Sequence, residues 1–239
     1  RRLFDHITDG KLQWAPMDAC YDRIFLGDRH YDLVAGPDAF RAELKRAFPE
    51  QHRAIDAYMK HLDKAAGGIK PLTVSKLLPA RLTGIARRAL NRTAAGRYNR
   101  PTREVLAELT DDPELIAVLT GQWGDNGLPP ARSSFLIHAL IARHYLYGGY
   151  YPVGGAAEIA RSIIPVIQQG GGEVFTYADV TDILIENGRA TGVRLADGHE
   201  ERAPTVISDA GVFNTFSTLL PEDSPQAADC RRQLGQVQR

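Results

Sequence analysis

The chain has 239 residues, 44% of them hydrophobic and 24% charged, which suits one large domain or two small ones with apolar cores and excludes a disordered or fibrous architecture. A formal net charge of +0 argues against a general nucleic-acid binder. The two cysteines, Cys20 and Cys230, have no partner at metal-ligand spacing, which excludes a disulfide framework or zinc site and points to a reducing compartment.

The chain opens Arg-Arg-Leu-Phe-Asp with no Met and no signal-peptide pattern, so an internal piece of a longer protein is expected. From Asp22 to Ala35, two strand-like runs flank Gly27-Asp28 and predict a hairpin. Gly36-Pro37-Asp38 predicts a helix start with proline at the first position, carrying Phe40, Leu44 and Phe48 on one face until Pro49 stops it. A second helix follows with Ile55, Met59 and Leu62 at helical spacing and ends at Gly67-Gly68.

From Lys64 to Arg103 the sequence has ten basic residues and no Asp or Glu. Within that tract Leu78, Leu82, Ile85 and Ala89 form a stripe flanked by Arg81, Arg88 and Arg92. Such a helix either lies on a membrane surface or presents a solvated basic face on a core helix, and the sequence leaves both open. Tyr98 is the tract's one aromatic residue, too few for a stacking platform on nucleic acid.

Asp112-Pro113-Glu114 predicts a capped helix buried through Leu115, Ile116 and Leu119. After a loop over residues 124–130, Ser133 to Tyr147 predicts the longest apolar helix. His138, Arg143 and His144 interrupt it, and no apolar run reaches the roughly 20 residues of a membrane span. Tyr150 to Gly155 breaks that helix.

Compact α/β units follow. Ala156, Ile159, Ile163, Val166 and Ile167 predict a helix ending at Gly170-Gly171-Gly172, and Glu173 to Ala178 predicts a strand. Val180 to Glu186 and Arg189 to Ala196 flank Asn187-Gly188, a strong hairpin signal. Asp197-Gly198 turns again, and Ala203 to Ser208 predicts a last strand leading into Asp209-Ala210-Gly211.

The sequence contains no Gly-x-Ser-x-Gly, His-Glu-x-x-His, Gly-x-x-x-x-Gly-Lys-Ser/Thr or Gly-x-Gly-x-x-Gly. The seven histidines share no clear helical face, which favours structural or exposed roles over ligand or base, and Asp111-Asp112 reads as a cap. No metal site is expected.

The block Gly-Tyr-Tyr-Pro-Val-Gly-Gly-Ala-Ala-Glu-Ile-Ala through Val-Ile-Ser-Asp-Ala-Gly-Val-Phe-Asn-Thr-Phe to Leu-Leu-Pro, residues 149–221, resembles the retinol saturase, carotenoid isomerase and phytoene desaturase family. Phe4-Asp5-His6-Ile7-Thr8-Asp9-Gly10, Trp14-Ala15-Pro16, Phe48-Pro49 and Ser134-Phe135 with His138-Ala139-Leu140 extend the likeness over nearly the whole chain.

The resemblance implies an α/β fold of the glutathione-reductase-like flavoprotein kind. Residues 1–147 would be a mainly helical substrate domain with a β-hairpin, and residues 148–220 part of an FAD domain lacking its N-terminal Gly-x-Gly-x-x-Gly βαβ unit. Residues 221–239 would begin the return to the substrate domain. It also implies FAD and an apolar polyene substrate of retinoid or carotenoid type, whose carbon–carbon double bonds are saturated, desaturated or isomerised.

By the same resemblance, the Val180 backbone matches the position that pairs with the adenine edge. Ser208, Asp209, Ala210 and Gly211 match the strand end beside the dinucleotide, Asp209 standing where relatives often carry Asn. Gly154 and Gly155 match a tight turn near the flavin ring, and Tyr150 and Tyr151 are candidates for the substrate-facing wall. A polyene collected from a bilayer would fit a cytoplasmic protein docked peripherally on a membrane through Lys76 to Arg92. The competing readings are a non-catalytic lipid-binding module and an amine-oxidase-like flavoenzyme.

Overall fold

Proline starts, polar caps and glycine turns divide the chain into short helices and antiparallel hairpins, seen in a computed structural model that describes residues 2–67 and 94–236. The basic stripe from Lys76 to Arg92 lies outside the described residues. The chain divides into two compact units, residues 1–163 and 164–239.

The first unit begins with helix α1 (Arg2–Ile7) and strands β1 (Trp14–Pro16), β2 (Cys20–Leu26) and β3 (Arg29–Val34). The β2–β3 hairpin turns at Gly27, whose φ of +60° suits a residue without Cβ. Helix α2 (Pro37–Ala47) starts on its proline as predicted, buries Phe40 and Leu44, and gives way to a 3₁₀ turn over Pro49–Gln51. Helix α3 (His52–Gly67) carries the unit's long apolar face, with Ala54, Ile55, Tyr58, Met59, Leu62 and Ala65 buried.

Helices α4 (Ala94–Tyr98), α5 (Thr102–Ala107) and α6 (Pro113–Leu119) follow. Asp112 caps α6 by accepting hydrogen bonds from the Glu114 and Leu115 amides at 2.9 and 3.1 Å, so two orphan donors at that helix end are satisfied. Helix α7 (Phe135–Tyr145) is capped by Ser134 and packs along α3. Its core contact is aromatic: Phe135 meets Tyr58, His61 and Tyr98 with ring centroids 6.5, 6.3 and 5.4 Å apart.

Strand β4 (Tyr150–Pro152) returns to pair antiparallel with β1, Trp14 opposite Pro152 and Pro16 opposite Tyr150. This pairing joins segments more than a hundred residues apart, and neither three-residue strand announces it in the sequence. Helix α8 (Ala157–Gln169) contains the division point between the units and carries Pro165 inside it. The predicted stripe of Ile159, Ile163, Val166 and Ile167 is present, but none of the helix's residues is fully buried.

The second unit holds an antiparallel sheet in the order β5 (Val180–Glu186), β6 (Arg189–Leu195), β7 (Glu200–Arg202). Asn187 and Gly188 turn the β5–β6 hairpin with φ of +50° and +75°, the pattern of a type I′ turn. Helix α9 (Val212–Asn214), a π-helical turn over Thr215–Leu219 and helix α10 (Pro225–Leu234) complete it. Arg231 from α10 ties this end together, donating to the carbonyls of Phe216, Leu220, Pro221 and Glu222 at 2.6–3.0 Å.

Two strand expectations are corrected. Residues 173–178 are coil with a bend at Thr176 and Tyr177, Phe175 and Tyr177 being exposed and Tyr177 in the left-handed region at φ +59°. The last strand is Glu200–Arg202 in place of Ala203 to Ser208. Beyond the Ala203 N–H, which donates to the Thr191 carbonyl of β6 at 3.1 Å, neither run pairs with a strand among the described residues, and without a ladder partner high β-propensity does not make a strand. Every strand pairing among the described residues is antiparallel.

The units differ in how much apolar surface they cover. The first has a continuous core running from Tyr31 to Leu146. In the second, Ile183 and Ala227 are the buried apolar side chains among the described residues, while Ile207 is 91% exposed.

Candidate functional site

In the first unit the candidate residues follow one another along a single turn of chain. Gly148 and Gly149 end the α7 region; a Cβ on Gly149 would fall 2.7 Å from Met17 Sδ, so the missing side chain lets β1's continuation close over it. Met17 N–H donates to the Gly149 carbonyl at 2.9 Å. This closure shapes a cleft of about 850 Å³ lined by Met17, Ala66, Leu140, Arg143, Tyr147 and Tyr150, among others. Its wall is largely apolar, and Arg143 and His144 also line it.

Tyr150 therefore stands on this cleft. Tyr151, opposite Ala15 in the β1–β4 pair, is exposed and does not line it, as alternation along a strand requires. Gly154 and Gly155 follow at φ +92° and +101°. A Cβ on Gly154 would crowd Glu158 at 2.9 Å, whereas one on Gly155 would meet nothing within 4 Å. Bare backbone thus faces open space just before helix α8.

A smaller cleft of about 340 Å³ adjoins the first through shared Met17, Tyr145 and Gly149, and adds Tyr21, Asp22, Gln122 and Asp125. Tyr21 and Tyr145 stack with centroids 5.6 Å apart and planes 14° from parallel. Tyr145 hydrogen bonds to the Asp125 carboxylate, which raises its phenol above the ordinary range. Burial, with Asp22 adding to it, raises Tyr21 as well. Gln122 Nε2 donates to Asp22 Oδ2 at 3.1 Å. None of these polar residues stood out in the sequence, because they come from three separate segments: strand β2, the 3₁₀ turn after α6 and the end of α7.

In the second unit Val180 opens β5, an edge strand. Ala196 N–H donates to the Asp179 carbonyl at 2.9 Å, and Val180 stands opposite Leu195. In antiparallel geometry the Val180–Leu195 pair is then a non-hydrogen-bonded one, so the amide and carbonyl of Val180 point away from β6 toward the edge where no strand pairs among the described residues. Ser208, Asp209, Ala210 and Gly211 form an exposed turn before α9. Ser208 Oγ lies 2.6 Å from Thr215 Oγ1, Asn214 Nδ2 donates to the Ala210 carbonyl at 2.9 Å, and Gly211 has φ +83° with open space where a Cβ would be.

Of the histidines, His138 and His52 are bonded within the protein, while His144 lines the larger cleft. His138 is buried and shares a 3.0 Å hydrogen bond with the Tyr58 hydroxyl, and burial pulls its imidazole from 6.5 down to about 4. His52 bonds to the Lys45 carbonyl at 3.2 Å. Among the described residues no group of three or more His, Cys, Asp or Glu is placed to hold a metal, and no helix is long and apolar enough to cross a membrane.

No family model matches the chain. It is 38% identical over 253 residues to all-trans-retinol 13,14-reductase of Danio rerio, an alignment covering 100% of this chain and 41% of that protein. It is 36% identical over 124 residues to a chloroplastic prolycopene isomerase of Daucus carota, covering 50% of this chain and 20% of that one. Among solved structures, an oxidoreductase from Methanosarcina mazei superposes with a TM-score of 0.59 at 17% identity, over 99% of this chain and 50% of its own. The chain thus spans about two-fifths of the length of the first of these relatives.

Proposed function

As a relative of the all-trans-retinol 13,14-reductases along its whole length, the chain is, we propose, part of an FAD-dependent oxidoreductase acting on the carbon–carbon double bonds of a retinoid- or carotenoid-like polyene. The 38% identity covering the entire chain carries this reading. The fold is taken to be of the glutathione-reductase-like flavoprotein kind. Residues 1–147 then serve the substrate, residues 148–220 serve the cofactor, and residues 221–239 lead back toward the substrate domain.

The residues present suit a dinucleotide. Gly155 offers open backbone on which a flat ring can rest without meeting a side chain. Val180 offers an amide donor and a carbonyl acceptor on an edge that pairs with no strand among the described residues, which matches the paired acceptor and donor of an adenine edge. Ser208 to Gly211 form an exposed turn in the same unit as Val180. The sparse burial of that unit's apolar side chains also fits a surface covered in the complete enzyme.

FAD, when bound, supplies the two-electron chemistry. The chain's own residues bind and orient. Tyr150, Tyr147, Leu140 and Met17 hold an apolar chain and shed its water into bulk solvent, while Gly154 and Gly155 keep side chains out of the approach. No proton-transfer residue is assigned. Peripheral docking on a membrane through Lys76 to Arg92 completes the reading, because a polyene dissolved in a bilayer has to be collected at its surface.

The test uses the complete protein. It should purify with flavin absorbance and convert a retinoid or carotenoid polyene but no amine. Val180→Pro should weaken FAD about tenfold, the worth of one lost hydrogen bond, with little loss of stability, since proline is tolerated at the first residue of an edge strand. A colourless complete protein, turnover of amines alone, or unchanged FAD affinity in that variant would each refute the corresponding part.

A further inference from the structure

Arg143 brings an under-used cation to the larger cleft. It lines that cleft from α7, among Met17, Leu140, Tyr147 and Tyr150. Its side chain is 39% exposed and forms an ion pair with Asp63 of α3 at 3.9 Å, its one ionic contact among the described residues. That separation is too long for a hydrogen bond. Asp63 is itself 75% exposed, so water screens the pair and Asp63 holds the guanidinium weakly.

His144 lines the same cleft and offers at least one N–H in either tautomer. The described residues around this cleft include no Asp or Glu; Asp22 and Asp125 line the smaller cleft, which shares Tyr145 as a wall. Such a lining suits an apolar chain that ends in a carboxylate. A guanidinium presents parallel N–H donors matching the two carboxylate oxygens, and the long gap to Asp63 leaves those donors to a ligand. Met17, Leu140, Tyr147 and Tyr150 are all exposed, so a hydrocarbon laid on them takes apolar surface out of water on both sides. An ester of the same chain gains that contact but forgoes the charge-assisted pair.

We propose that the larger cleft binds a free long-chain carboxylate, its hydrocarbon on Leu140, Tyr147 and Tyr150 and its carboxylate on Arg143 with His144 beside it, and that the bound anion keeps the polyene out. Binding of the anion stands on Arg143 and the cleft. Exclusion of the polyene rests on the reading above and deepens it, making this a site where fatty-acid-like anions regulate the enzyme.

The complete protein is titrated calorimetrically with dodecanoate, below its micelle concentration, and with methyl dodecanoate. Neither carries a carbon–carbon double bond for a flavin to act on. Dodecanoate should bind at least about tenfold tighter than the ester, and the excess should fade as salt rises. Arg143→Gln should bring the two ligands within about threefold of each other. Asp63→Asn removes the competing carboxylate and should tighten dodecanoate about threefold while leaving the ester unmoved; should Arg143→Gln fail to fold, this variant decides alone. In turnover assays dodecanoate should raise the apparent KM for a polyene without lowering kcat. A preference that is absent, or indifferent to both variants, overturns the anion site, and the polyene reading stands if polyenes still react. Anion binding through Arg143 with no effect on polyene KM overturns the exclusion. If dodecanoate binds as described and no polyene binds or reacts, the polyene reading falls and the anion site stands.

Discussion

His138 provides the most direct test of how the first unit is held together. Its ring lies in the α3–α7 interface beside Phe135, bonded to the Tyr58 hydroxyl, and burial lowers its pKa from 6.5 to about 4. The folded protein therefore resists a proton that the unfolded chain accepts. Between those two values the unfolded state binds more protons, so the stability due to neutral His138 is complete above about pH 6.5 and is lost as pH falls toward 4. A shift from 6.5 to about 4 corresponds to about 3 kcal/mol by the time pH 4 is reached. Asp32 and Asp56, whose carboxyls are held below the ordinary range by Arg23 and by Lys45, contribute at lower pH, and they do so equally in wild type and in a His138 variant. The assay is urea unfolding of wild type and His138→Gln at intervals from pH 7.5 to 4. The stability difference, wild type minus variant, should fall by about 3 kcal/mol across that range. A difference that stays flat would show that His138 is not buried neutral, and the packing of α7 on α3 would need redrawing.

Two further outcomes probe local devices. Asp112→Ala removes the acceptor of the Glu114 and Leu115 amides and should cost about 1 kcal/mol in urea unfolding, with Asp112→Asn recovering most of it. Gly192→Ala places a Cβ against the Glu201 carbonyl at a backbone φ of +155°. Hydrogen exchange of the β6 and β7 amides should then accelerate about tenfold or more, while the helices of the first unit stay protected.

What was legible in the sequence was local. Pro37, Asp112-Pro113, Ser134 and Asn187-Gly188 each fix backbone geometry within a few residues, and the helices and hairpins stand where those residues put them. Cofactor candidates were reached by resemblance, because no spacing of glycines or titratable groups marks them.

The sequence by itself determined where elements start and stop and which helix faces are apolar, since caps, turns and periodicity act over one or two turns of chain. Tertiary structure decided the rest. Pairing of Trp14–Pro16 with Tyr150–Pro152, the collapse of two predicted strands into coil, and the meeting of Asp22, Asp125 and Tyr145 around one cleft all depend on partners far away in sequence. A strand exists only where another backbone accepts its hydrogen bonds, and a site only where distant segments converge, and neither condition is written in a local run of residues.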